Sequence, residues 1–332
     1  WLFVEVETDE GITGLGECTD YAVNNHLVRG LEAVKPLVIG SDPNNIEEIW
    51  QRIFHVYSDL NGRGYVSHLI SAIDIALWDI KGKVLGAPIY DLLGGPVRDS
   101  VPLYTHVRDI SAEAGIDTLI EEAKLTVAAG YKAIKTDPFP NRRTMGETFY
   151  GANMVERMEP KAIAESVEWM EALRETVGPD YEILVDAHAR MDVASAIKAA
   201  NAIEHVDLVW FEEPTHVESH NSLRQIRENT NVPLCVGERH FTRWDYDEIL
   251  RDRLVDYIMP DVAWCGGISE IRRIAAMAEI HYIRVSPHDA LGPVAIAASF
   301  HSSMVIPNLY REECLHTWFE AFGKIVTPML RS

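Results

Sequence analysis

The feature that most constrains the fold is a repeating rhythm of strand, loop and helix that begins near residue 102. Its period is roughly 25 residues, which is typical of βα units that build a parallel sheet. An open, doubly wound sheet is the alternative, although the glycine-rich phosphate turn typical of that fold is missing. A closed barrel is favoured because eight strands are predicted, at Leu103–Thr105, Ala133–Lys135, Glu182–Asp186, Leu208–Glu212, Leu234–Gly237, Tyr257–Met259, Ile283–Ser286 and Met304–Asn308.

The first hundred residues follow a different pattern. Residues 1–17 alternate between apolar and polar side chains around a glycine-containing turn, which predicts an antiparallel hairpin. Amphipathic helical patterns follow, one from Pro43 and one over Val66–Ile80. Gly94-Gly95-Pro96 and Pro102 then interrupt the chain, so an α+β unit is predicted to end near this point.

Composition limits the partners and the compartment. The 332-residue chain has a formal net charge of −21 at pH 7, which repels nucleic acid and anionic membrane surfaces. No apolar run reaches the roughly 18 residues that a membrane span requires. The four cysteines are scattered, without paired spacing for zinc or a disulfide framework. A soluble, cytoplasmic protein that binds neither nucleic acid nor membrane is therefore expected.

Three carboxylates end three successive predicted strands, at Asp186, Glu212 and Glu238. They are evenly spaced, one βα unit apart, so a barrel would bring them together at the rim where the strands end. Side by side they would repel one another unless a cation is bound, and all-oxygen ligation favours Mg²⁺. The alternative is that each carboxylate caps the helix that follows it.

Further along the chain, Asp261 and His288 end two more neighbouring strands. Adjacent rim positions would let Asp261 hold the imidazole of His288, fix its tautomer and raise its basicity. This is the arrangement of a general base. A lone histidine is more often structural, but the strand-end position and the available partner favour catalysis.

Other polar residues lie close to the predicted ligands. Lys135 ends the second strand, where its ammonium could neutralise a substrate carboxylate or oxyanion, the alternative being an exposed lysine. His188 follows Asp186 by two residues and would share its face on extended backbone, so it is a candidate acid or else a loop histidine. Arg190, Arg239 and His240 are candidate contacts to the substrate or to the groups around it. Solvation at the start of a helix would explain these polar residues about as well.

These residues belong to longer motifs that resemble the enolase superfamily, in its mandelate racemase subgroup. The resemblance runs nearly end to end. In the N-terminal unit it rests on Gly11-Ile12-Thr13-Gly14-Leu15-Gly16-Glu17 and on Ser71-Ala72-Ile73-Asp74-Ile75-Ala76-Leu77-Trp78-Asp79. In the barrel it rests on Phe211-Glu212-Glu213-Pro214, Gly237-Glu238-Arg239, Pro260-Asp261, Cys265-Gly266-Gly267-Ile268 and His288.

The resemblance implies a modified TIM barrel of the (β/α)7β type over residues 101–314, carrying the active site. It also implies an α+β capping domain over residues 1–100, and a C-terminal segment, 315–332, that returns to the capping domain. Because the sequence opens inside a strand, we expect a further N-terminal segment before it. One Mg²⁺ ion per active site and a homo-oligomer, dimer or octamer, are expected by the same resemblance.

Racemases of this type carry Lys-x-Lys at the second strand, whereas this chain has Lys135-Thr136-Asp137. With Asp-x-His-x-Arg at 186–190, it is more similar to sugar acid dehydratases such as galactonate and gluconate dehydratase. By that resemblance, His288 removes the C2 proton of an aldonate or aldarate, and Lys135 and Mg²⁺ stabilise the enediolate. His188 then protonates the 3-hydroxyl, which departs as water, and the resulting enol ketonises to a 2-keto-3-deoxy sugar acid.

The resemblance also assigns residues around the substrate. Glu312 is expected to hydrogen-bond the substrate carboxylate from the eighth strand end, with Glu313 as its competitor. Contacts to the rest of the substrate are expected from Asp137, Arg190 and His240.

Two rival functions stay open. A racemase, epimerase or cycloisomerase would use the same site, with Asp137 as a second base facing His288. A non-catalytic protein that binds a carbohydrate acid is the alternative from a different class. The polar segment Asp137–Glu159 is either a lid or an idle surface loop, and neither it nor the region Thr19–His26 reveals the stereochemistry of the sugar.

Overall fold

The computed structural model describes residues 1–20, 24–57, 64–107, 115–139, 157–315 and 318–326. The chain begins with the predicted antiparallel hairpin, in which Phe3 pairs with Glu17 and Glu7 with Thr13. The hairpin strands and the four helices after them are β1 (Phe3–Glu7), β2 (Thr13–Glu17), α1 (Asn24–Val34), α2 (Ile46–Val56), α3 (Tyr65–Leu85) and α4 (Ile89–Leu92).

Helix α3 organises this N-terminal unit. It packs against β2 so closely that a Cβ atom at Gly16 would lie 1.9 Å from the carbonyl oxygen of Ala72. Only glycine permits such an approach of two backbones. Most of the helix is buried, because its other sides meet α1, α2 and the barrel. The unit is therefore fixed against the barrel by its longest helix.

The second part of the described chain is a parallel sheet of eight strands, with helices between them. The strands are β3 (Leu103–His106), β4 (Ala133–Thr136), β5 (Glu182–Asp186), β6 (Trp210–Glu212), β7 (Leu234–Val236), β8 (Tyr257–Ile258), β9 (Arg284–Val285) and β10 (Glu312–Glu313). The helices are α5 (Ile116–Ala128), α6 (Pro160–Val177), α7 (Val193–Ile203), α8 (His220–Glu228), α9 (Thr242–Arg251), α10 (Gly267–Ile280) and α11 (Pro293–Ser303), with α12 (Phe319–Phe322) after the last strand.

The sheet curls until its two ends meet. On one side β10 pairs with β3, and on the other Val285 of β9 forms a parallel bridge with Leu309. The N–H of Tyr310 donates to the carbonyl oxygen of Val285 across the same seam, at 2.7 Å. The predicted (β/α)7β barrel with an α+β N-terminal unit is therefore confirmed, while the residue boundaries of the two domains stay predictions.

One predicted strand is wrong. Met304–Asn308 was assigned to the eighth strand, but the N–H of Met304 donates to the carbonyl of Phe300 and continues the turn of α11. The amide of Asn308 then donates to the carbonyls of Ala275 and Ile283, so it anchors the loop. The eighth strand is Glu312–Glu313, because these two residues pair with Leu103 and Tyr104 of β3 on the side away from β4.

The N-terminal unit contacts loops of the barrel that follow the carboxyl ends of its strands. The buried carboxylate of Glu17 accepts the N–H groups of Val294 and Ala295, at the start of α11, and thereby caps that helix. Trp264 donates its indole N–H to the carbonyl of Thr19, at 2.7 Å. Within the described ranges no helix is long and apolar enough to cross a bilayer.

Candidate metal centre and its two histidine pairs

The three predicted carboxylate ligands come together at the carboxyl ends of β5, β6 and β7. One oxygen from each of Asp186, Glu212 and Glu238 lies within 4.8 Å of the others, and all three side chains are buried. Asp186 and Glu212 are direct neighbours in the strand register. Before Glu238 the chain needs Gly237, because a Cβ there would lie 2.5 Å from the backbone nitrogen of Met259. The even spacing in sequence thus becomes proximity in space.

The crowded carboxylates shift one another's acidity. Burial, followed by the charge of Asp186, raises the pKa of Glu212 well above its usual range. Burial acts in the same direction on Asp186, but the charges of His188 and Lys135 outweigh it and lower the pKa of that group. Lys135, itself buried, donates to Glu212 at 2.6 Å and lies 3.0 Å from Glu313. The cluster has more negative than positive charge.

The donor set fits a hard divalent cation. All three converging groups are carboxylates, the ligands that Mg²⁺ and Ca²⁺ prefer, and no cysteine or histidine belongs to the triad. Burial is the main cause of the raised pKa of Glu212, and a cation would relieve the repulsion from Asp186 that adds to it. These residues can therefore hold a metal ion, with coordination positions left for other oxygens.

His288 and Asp261 form a buried pair beside Glu238. Nδ1 of His288 lies 2.7 Å from Oδ2 of Asp261, and their backbones form a parallel bridge. Nε2 of the same ring lies 3.2 Å from Glu238. Burial lowers the pKa of His288, but the charges of Glu238 and Glu313 and the bond to Asp261 raise it to about 9. The sequence prediction of this pairing agrees with the observed distance.

His188 forms a second pair on the other side of the triad. Its Nδ1 lies 3.0 Å from Oδ2 of Asp137, and its Nε2 lies 3.4 Å from Asp186. Arg190 donates to the same oxygen of Asp137, at 2.6 Å. The backbone at His188 adopts a positive φ of 50°, as part of the loop after β5. Asp137 and Arg190 are predicted to contact substrate. In the structure, Asp137 contacts both His188 and Arg190.

At the eighth strand end, the preference for Glu312 over Glu313 is corrected. The Glu312 carboxylate accepts hydrogen bonds from Ser299 and Ser303 of α11, outside the barrel, and burial raises its pKa to about 8. Glu313 points to the opposite face, where it contacts Lys135 and His106. A two-residue strand places consecutive side chains on opposite faces, and the sequence does not indicate which faces inward.

His106 is a member of the cluster that the sequence analysis missed. It ends β3, and its Nε2 lies 2.5 Å from Oε1 of Glu313. Its side chain is 27% exposed, more than that of its partner. Burial, followed by the charge of Lys135, lowers the pKa of His106. The signal that could have identified it is the one that identified the three triad carboxylates, namely a polar residue at the end of a barrel strand.

His240 and Arg239 follow Glu238 but differ from each other. Arg239 contacts Glu238 at 3.0 Å, so it lies next to the triad. The His240 ring packs 5.7 Å from Tyr246 and 6.1 Å from His220, and neither ring nitrogen has a hydrogen-bond partner. Burial lowers the pKa of His240 to about 3, with help from nearby positive charge. The predicted contact of His240 with substrate stays a prediction, and an uncharged ring would make it.

Two family models match the chain. Residues 1–94 match the N-terminal domain of mandelate racemase and muconate lactonizing enzymes. Residues 118–331 match the enolase C-terminal domain-like family. The two matches follow one another along the chain in the same order as the N-terminal unit and the barrel.

Individual relatives resemble the chain over most of their length. It is 35% identical to a D-galactonate dehydratase family member of Streptomyces bingchenggensis, covering 98% of this chain and 84% of that protein. It is 33% identical to a D-mannonate dehydratase of a Sphingomonas species, covering 94% and 80%. A solved structure from Zymomonas mobilis, described as a candidate dehydratase, has a TM-score of 0.89 at 36% identity, covering 95% and 82%.

Proposed function

Because this chain belongs to the enolase superfamily, with the domains of the mandelate racemase and muconate lactonizing enzymes, we propose that it is a Mg²⁺-dependent sugar acid dehydratase. Its relatives include proteins named D-galactonate dehydratase and D-mannonate dehydratase. Dehydratases are carbon–oxygen lyases, and this chain is assigned to the same enzyme class. We infer an aldonate or aldarate substrate and a 2-keto-3-deoxy sugar acid product.

The observation that carries the proposal is the pair of imidazoles on either side of the acidic triad. Each has Nδ1 bonded to an aspartate and Nε2 directed towards a ligand carboxylate, Glu238 for His288 and Asp186 for His188. Dehydration takes a proton from carbon and delivers a proton to the departing oxygen, and an acid and a base on opposite sides of the substrate can do both. Two independently held imidazoles can take these two roles.

The roles of the chain's residues follow from this geometry. Asp186, Glu212 and Glu238 would hold the cation, which supplies positive charge against the negative charge that develops on the substrate carboxylate. In its neutral form, His288 accepts the C2 proton at Nε2, because Asp261 accepts the hydrogen bond from Nδ1–H and leaves Nε2 without a proton. His188, held by Asp137, donates a proton from Nε2 to the departing 3-hydroxyl. Lys135 adds a second fixed positive charge beside Glu212 and Glu313.

The proposal is tested by incubating the purified chain and Mg²⁺ with C5 and C6 aldonic and aldaric acids and measuring keto-acid formation. The matched control is Glu238→Gln, which removes a proposed ligand but keeps the side-chain volume. We expect product with one or a few substrates from the unmodified chain, and at least about a hundredfold less from the variant. Activity that survives both the substitution and chelation of the metal would exclude the proposed mechanism.

An epimerase or racemase is the second candidate, because His188 also places a proton donor across the triad from His288. The second lysine of such racemases is absent from Lys135-Thr136-Asp137, and the imidazole of His188 could take its place. Reaction in D₂O separates the two functions. An epimerase returns substrate with deuterium at C2, an inverted centre and its 3-hydroxyl, whereas a dehydratase forms keto acid.

A further inference from the structure

Beneath the triad, one tryptophan is bonded to a ligand carboxylate. Trp210 and Glu212 lie two residues apart on β6, so their side chains share the inner face of the barrel, and both are fully buried. The indole N–H of Trp210 donates to Oε2 of Glu212 at 2.8 Å. The other oxygen, Oε1, accepts from Lys135 at 2.6 Å. Each oxygen of this carboxylate therefore has its own donor.

The indole is held on several sides by other rings. Tyr257, Tyr310 and Tyr104 lie at centroid distances of 5.1, 5.5 and 5.7 Å from it. Trp210 cannot turn without displacing this layer, which fills the barrel below the triad. The N–H is therefore a fixed donor, whose position the barrel core determines.

Glu212 differs from the other two ligands in what orients it. Asp186 accepts the backbone N–H of the loop at His188, and Glu238 contacts Arg239 and the imidazole of His288. Glu212 alone among the three bonds to the aromatic layer. A glutamate side chain has three rotatable torsions, so a ligand of this length loses binding energy unless neighbouring groups restrict it.

We propose that Trp210 is a positioning residue of the metal site, whose indole N–H fixes the Glu212 carboxylate in the conformation that binds the cation. The inference rests on the proposed use of the triad as a Mg²⁺ site and adds a residue that no ligand motif contains. Phenylalanine at this position would fill much of the same space but would leave Oε2 without its donor.

The test is Mg²⁺ binding by isothermal titration calorimetry on the whole chain, which needs no substrate. Trp210→Phe is compared with Tyr257→Phe, a control that alters the same aromatic layer but removes no donor to Glu212. We expect the dissociation constant to rise about tenfold in Trp210→Phe. The control should stay within about twofold of the unmodified chain. Melting temperatures without metal verify that each variant is folded.

The outcomes separate this inference from the proposed function. If the unmodified chain binds Mg²⁺ and Trp210→Phe binds it equally well, the role of Trp210 is refuted and the metal site stands. Equal weakening in both variants also refutes it, because loosening of the barrel would then explain the loss. If the unmodified chain does not bind Mg²⁺, the metal site itself is refuted. Trp210→Tyr, with the same expected result, replaces Trp210→Phe if the latter does not fold.

Discussion

The two histidine pairs of the site share a geometry but differ in their surroundings. In the His288 pair, the side chains of His288 and Asp261 are 6% and 1% exposed, and adjacent strand ends hold them. In the His188 pair, His188 and Asp137 are 21% and 13% exposed, and His188 lies on a loop with positive φ. Close burial holds a base in position to take a proton from carbon, whereas partial exposure lets an acid regain its proton from solvent. The difference in burial therefore suits different steps.

The largest expected effect comes from breaking the buried pair. His288→Asn should lower both C2 proton exchange in D₂O and keto-acid formation about a thousandfold, because both need the same base. His205→Asn, a substitution of an exposed histidine paired with Glu171, is the control and should change neither rate. Retention of C2 exchange in His288→Asn would assign the base to another residue.

Breaking the less buried pair should separate the two steps. His188→Gln should lower keto-acid formation about a hundredfold while C2 exchange in D₂O continues, because proton removal would precede and not require the acid. Proton NMR of the recovered substrate measures the exchange. If both rates fall together, His188 is needed for proton removal or substrate binding, and the division of roles fails.

A smaller effect is expected from the carboxylate that holds His188. Asp137→Asn keeps the size of the side chain but removes the charge that His188 and Arg190 share. We expect about a tenfold loss of keto-acid formation through kcat, with KM nearly unchanged, because the substitution disturbs the tautomer of the imidazole. A loss confined to KM would instead support direct contact of Asp137 with substrate.

The smallest effect concerns Glu312, which the structure separates from both pairs. Its pKa is raised to about 8 by burial, so the folded state binds its proton more tightly than the unfolded state does. This stabilisation is complete below the ordinary glutamate pKa and is lost as pH rises towards 8. Its slope is at most about 1.4 kcal/mol per pH unit.

Glu312→Gln should therefore flatten the fall in melting temperature between pH 5 and pH 8, measured by scanning calorimetry. Glu320→Gln, at a side chain that is 89% exposed, is the control and should leave the profile unchanged. If the melting temperature of Glu312→Gln falls with pH as steeply as that of the unmodified chain, Glu312 is ionised in the folded state.

Much of the site could be predicted from the sequence because it repeats a local rule. An apolar strand that ends in a polar residue places that residue on the rim of a barrel, and the rule found Asp186, Glu212, Glu238, Asp261 and His288. The same rule needs no knowledge of distant contacts. The parallel barrel and the hairpin could be predicted for the same reason, because the periodic patterns that indicate them are properties of the chain itself.

Tertiary structure decided the parts of the site where no local pattern exists. β10 has two residues, too few for an alternation, so only its pairing with β3 determines that Glu313 faces Lys135 while Glu312 faces α11. The bond between Asp137 and His188 joins residues from different βα units. Burial of His240 against Tyr246 also depends on packing. The sequence determined which strands end in reactive groups, whereas side-chain packing across the barrel decided which of those groups meet, because contacts between distant segments leave no local pattern.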